Sequence, residues 1–103
     1  MNDALSSADL MTDTELLEYL RRCAATEREA TARLIAALAE VDARRLFPGQ
    51  GCSSLFTYCT QVLHLSEHAA YGRIAAARVA RKFPAVLGLL ADGSVHLTAV
   101  SLT

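Results

Sequence analysis

The 103-residue chain has no tryptophan, three tyrosines, three phenylalanines, two prolines and five glycines. None of those prolines or glycines falls between Asp13 and Phe47. A stretch that long without a helix breaker excludes a strand-and-turn architecture there and predicts helix. No apolar run reaches the ~18 residues that a membrane-spanning helix requires. The first residues, MNDALSSADLMTD, carry no basic segment and no long apolar stretch, so they do not read as a secretory signal. The expected compartment is the cytoplasm. Three cysteines, an odd number, fit reduced thiols better than a disulfide framework. The hydrophobic fraction of 52%, much of it alanine, excludes a disordered chain. The length suits one domain.

Charge is scarce in total and uneven along the chain. The net charge is −1, which by itself argues against strong non-specific DNA binding. Residues 1–43 hold nine acids and four bases, whereas residues 44–103 hold six bases and two acids. The six are Arg44, Arg45, Arg73, Arg78, Arg81 and Lys82. This asymmetry points the second half toward a polyanion.

Residues 1–12 read as a flexible leader, and residues 13–103 as one all-α domain. Thr12, Asp13 and Thr14 are each suited to cap a helix over 13–47. A break near Ala25–Thr26 is the competing arrangement. Leu16, Leu20, Cys23, Ala30, Leu34, Leu38 and Val41 recur at gaps of mostly three and four, forming one apolar stripe. Either a second copy of the chain meets part of this stripe, or the later helices fold back over it. The first option makes Leu16, Leu20, Cys23, Leu34, Leu38 and Val41 a homodimer interface.

Pro48, Gly49 and Gly51 mark a turn, and residues 53–103 read as a cluster of three to four shorter helices. Ser53 or Ser54 caps a helix over 55–63. His64–Ser66 is a connector, and Ser66 caps a helix to about Phe83 with Glu67 at its positive end. Pro84 and Gly93 bracket a short helix, and another begins near Leu97. Helix, three-residue connector, helix is the spacing of a helix-turn-helix unit. Projected at 100° per residue, Gly72, Ala75, Ala76, Val79, Ala80 and Phe83 share one side. Arg73, Arg78, Arg81 and Lys82 share the other with Glu67, Tyr71 and Ile74. The first turn carries Glu67, His68 and Ala69, so the cations suit gripping phosphates better than reading bases. An ordinary amphipathic helix with a solvated basic side gives the same pattern.

Cys52, Cys59, His64 and His68 are the residue types of a zinc site. The gap between the cysteines is six residues, too wide for the tight pairs that make such sites specific. No metal or other cofactor is expected. There is no nucleophile elbow and no glycine-rich phosphate loop, and Glu67 and His68 are adjacent, so they point apart on a helix. The residues supply no active site.

The segment from Arg44 to Thr103 contains RRLFPGQGCSSLFTYC, LSEHAAYGRIAAARVARKFP and LLADGSVHLT. These strings resemble the amino-terminal, all-helical domain that precedes the nuclease module in bacterial HNH endonuclease-type proteins. The resemblance covers about residues 13–103. Gly72 and His64 depart from it, standing where such proteins tend to carry a larger, often basic residue and a glycine. The metal-binding HNH module lies outside the sequence, so the resemblance implies a non-catalytic DNA-binding accessory domain whose partner is either DNA, a second copy or that nuclease module. Leu55–Thr98 is more faintly similar to the helix-turn-helix region of ParB-type partition proteins.

Overall fold

The computed structural model describes residues 3–101, and every regular element among them is helical. Six α-helices run in order: α1 (Asp3–Asp9), α2 (Asp13–Arg44), α3 (Leu55–Thr57), α4 (Glu67–Lys82), α5 (Ala85–Asp92) and α6 (Leu97–Ser101). A 3₁₀ turn over Pro48–Gln50 precedes α3, and a π turn over Tyr58–Val62 continues it. The amino-terminal segment expected as a flexible leader, residues 1–12, contains α1, none of whose residues is buried.

α2 is continuous through Ala25–Thr26, so the competing broken arrangement is not what forms. It starts with a reciprocal cap. The Glu15 amide donates to Thr12 Oγ1 at 3.2 Å, and the Thr12 amide donates to Glu15 Oε1 at 3.0 Å. It ends at Arg44, three residues before the expected Phe47. Arg45 turns left-handed, with φ 51°, and its amide returns to the Asp42 carbonyl. At 1.5 Å per residue α2 is about 48 Å long. The radius of gyration is 16.4 Å, against about 13 Å for a compact chain of this size. The excess is the forward half of α2, which stands away from the rest.

The rear half of α2 packs on α4 and α5, and α4 packs also on α6. The core joins Ala32, Ile35 and Leu38 of α2 to Leu55 and Cys59, the alanines and Ile74 of α4, Leu90 and Val100. Ile35 is fully buried, a contribution of roughly 1.5–3 kcal/mol. Ala70, Ala76, Ala77 and Ala80 are all buried, and small side chains there let α2, α3, α5 and α6 approach α4.

Covering α4 from several directions changes which side faces inward. Ile74, expected outward, is buried, and Arg73 is half-buried beside it. Phe83, expected in the core, is 64% exposed. It lies past the last helical residue, where Pro84 forces the chain out of helix. Ser66 caps α4 by accepting from the Ala69 amide at 3.1 Å. His64 in the preceding connector is left-handed, with φ 59°.

Candidate nucleic-acid interface

The cations that the sequence groups together separate into two places. Arg78, Arg81 and Lys82 of α4 line a shallow groove of about 340 Å³ whose opposite wall is Ala39, Asp42 and Ala43 of α2. Arg44 joins this end of the molecule through a shared acid. Glu40 Oε2 accepts from Arg44 Nε at 2.7 Å, and Glu40 Oε1 accepts from Arg81 Nη1 at 3.4 Å. Asp42 Oδ2 lies 3.9 Å from Arg78 Nε. Arg45, next along the chain, places its guanidinium 5.2 Å from the centre of the Phe47 ring. Lys82 is exposed and makes no ion pair among the described residues.

Electrostatically this end is five cations interleaved with two carboxylates. The Arg44 hydrogen bond and charge, and then Arg81, hold the Glu40 carboxyl below the ordinary value of 4.5. Glu40 therefore stays ionised and competes for the guanidinium groups that a phosphate would contact. The Glu40 pairs are well exposed and the Arg78–Asp42 pair is partly so, with Asp42 half-buried, so all three are labile and screened by salt.

Arg73 is elsewhere. It sits in the middle of the inward side of α4 and lines a different cleft with Glu27, Arg28, Thr31, His96 and Leu97. The sequence projection put it with Arg78 and Arg81 on the polar side of the helix. The burial of α4 by α6 moves the boundary of that side past Arg73.

The expected dimer stripe also divides. Leu38 is buried in the chain's own core, and Leu34 and Val41 pack against that core half-buried. They are used internally, as the fold-back option requires. Leu16 and Leu20, by contrast, are 39% and 62% exposed, and Cys23 is exposed beside them. Leu17 and Tyr19 add to this apolar surface. From Asp13 to Ala30 no residue is buried.

Cys52 and Cys59 are both buried, and burial pushes the Cys59 thiol above its ordinary value. Among the described residues no cluster of three or more His, Cys, Asp or Glu side chains could hold a metal ion. None of the described helices is long and apolar enough to cross a membrane.

α3 and its π turn approach α4 through one aromatic pair: the Phe56 and Tyr71 ring centres are 4.8 Å apart, tilted by 38°. This contact adds to the core that Leu55 and Cys59 share with the α4 alanines. The Glu40 and Asp42 partners were not among the sequence-derived site residues, although Glu40 and Arg44 at i, i+4 carry a readable signal. The pairing of Arg81 with Glu40 crosses 41 positions and has no local signal.

No family model, curated protein or solved structure matches this chain.

Proposed function

We propose that the chain is a non-catalytic helical domain that contacts nucleic-acid backbone, as an accessory part of an HNH endonuclease-type protein. The contacting residues are Arg44, Arg45, Arg78, Arg81 and Lys82. The observation that carries this reading is their convergence at one exposed end of α2 and α4. Arg73 lines a separate cleft and lies outside this group. Gripping from the last turns of α4, next to the end of α2, gives phosphate contact and little base readout. The helix-turn-helix-like relation of the 55–62 segment to α4 supplies the frame, braced by Phe56 and Tyr71.

A mobility-shift titration of a short duplex at low salt tests the reading. The protein binds, and the Arg78→Gln, Lys82→Gln double variant does not. Glu40→Gln binds more tightly than the parent, because Arg44 and Arg81 lose their internal acceptor. Equal binding by the parent and the double variant would reject this assignment.

A second reading, self-association, is favoured by a separate observation: residues 13–30 form a projecting helix with no buried residue. Most helical stability in proteins comes from packing an amphipathic face, and the apolar side chains of this segment gain little of it within the chain. The occupant is a second copy in antiparallel orientation. Residues 13–20 hold three acids and no base, while residues 21–28 hold three bases and one acid. Antiparallel overlap sets acid against base, and parallel overlap sets like against like. Light scattering at high concentration discriminates. A dimer that Leu16→Glu, Leu20→Glu dissociates agrees with this reading, and a monomer at every concentration removes it.

A further inference from the structure

Of the ten lysines and arginines, Arg73 is the one that is not exposed. It also makes no ion pair and no side-chain hydrogen bond to any described residue. A partly desolvated guanidinium without an acceptor is costly, and such groups are ordinarily paired. Among the described residues no side-chain nitrogen or oxygen is both fully buried and unpartnered, and Arg73 lines two open clefts, one of them with α2.

The cleft shared with α2 has a volume of about 180 Å³. Glu27, Arg28 and Thr31 of α2, Arg73 of α4, Leu90 of α5 and His96 before α6 line it. Arg28 uses its Nε on the Ala91 carbonyl, which leaves its terminal nitrogens without a hydrogen bond among the described residues. Two arginines, one histidine and one threonine thus line a small space with a single acid, Glu27, while Asp92 lies near enough to Arg28 for that charge to lower its carboxyl. Neither guanidinium lies within ion-pairing distance of Glu27.

We infer that this cleft binds a small oxyanion of the phosphate class, with Arg73 as its main donor and Arg28, His96 and Thr31 as supporting donors. Planar guanidinium groups match two oxygens of such a ligand at once. Glu27 opposes binding by its charge. The site does not depend on the nucleic-acid reading: it shares no residue with the basic end formed by Arg78, Arg81 and Lys82.

The test is a titration with inorganic phosphate at constant ionic strength, followed by nuclear magnetic resonance of the Arg73 Nε–H and the Thr31 amide. Sodium chloride is the control. The expected result is a saturable shift with half-saturation on the order of 1 mM. Arg73→Gln weakens it about tenfold or more, as loss of a charge-assisted donor requires. His96→Ala, an exposed position that leaves the fold intact if Arg73→Gln does not, weakens it several-fold. Glu27→Gln strengthens it. Lys82→Gln leaves it unchanged, which separates this site from DNA contact. A shift that rises linearly without saturating, or one that is indifferent to both Arg73→Gln and His96→Ala, overturns the inference.

Discussion

Arg28 of α2 donates from Nε to the carbonyl oxygen of Ala91 at 3.3 Å, a contact that spans 63 positions of sequence. It satisfies one of the carbonyls left open at the end of α5. Gly93, the left-handed residue that ends α5 with φ 85°, lies directly beneath it. A Cβ built on Gly93 would stand 3.1 Å from Arg28 Nε. Gly93→Ala therefore meets both backbone strain and a crowded guanidinium. It should destabilise the protein by roughly 1–3 kcal/mol in urea unfolding. Arg28→Ala should cost less, because water can replace the exposed donor. A Gly93→Ala protein as stable as the parent would contradict this packing.

His64 occupies a left-handed conformation with φ 59°. An L-residue there costs roughly 1–2 kcal/mol, and glycine removes most of that at a smaller entropic cost. His64→Gly should raise stability by about 1 kcal/mol, read as a higher urea midpoint with unchanged slope. A lower midpoint would show that the imidazole makes a contact that outweighs the strain.

The two halves of α2 should respond differently to truncation. Ile35→Ala removes a side chain that is 0% exposed and should cost roughly 2–5 kcal/mol. Leu20→Ala should change monomer stability by less than about 0.5 kcal/mol. If the chain self-associates, the same substitution weakens the dimer. Denaturation at two protein concentrations separates the two effects, since only a dimer shows a concentration-dependent midpoint.

Two carboxylates make stability depend on pH in the acid range. Arg44 and Arg81 hold Glu40 below 4.5. The Ser94 hydroxyl and amide, with Arg28 nearby, hold Asp92 below 3.8. A lowered folded-state value means that the unfolded chain binds the proton more readily. The contribution is complete above those ordinary values and is lost as pH falls through the lower folded values. Thermal midpoints should fall as pH drops below about 4.5. Glu40→Gln should flatten part of that fall, and an unchanged profile would argue that its ion pairs are not formed in solution.

Much of the architecture is readable from local signals. The absence of Gly and Pro over 13–47 gives α2, Ser66 with Glu67 gives the start of α4, and Pro84 and Gly93 bracket α5. Each is a short-range preference that tertiary packing did not override. The candidate site is less readable. Periodicity could not tell that Leu38 belongs to the chain's own core while Leu20 does not, because both lie on one stripe. What differs is which segment has later helices beside it. The position of Arg73 was lost for a related reason. α4 is rich in alanine on both sides, so its polar boundary is set by α6 and not by its own pattern. The Arg81–Glu40 pair is a long-range contact, and composition showed only that both charges exist.

The claim that the basic end contacts nucleic acid is tested most directly by the salt dependence of duplex binding, measured by fluorescence anisotropy. With four to five cations engaged, a plot of log affinity against log salt should have a slope of about −4. Lys82→Gln should reduce the magnitude of that slope by about one, and change affinity similarly for unrelated sequences. Absence of binding at low salt, or binding that does not vary with salt, would contradict the account.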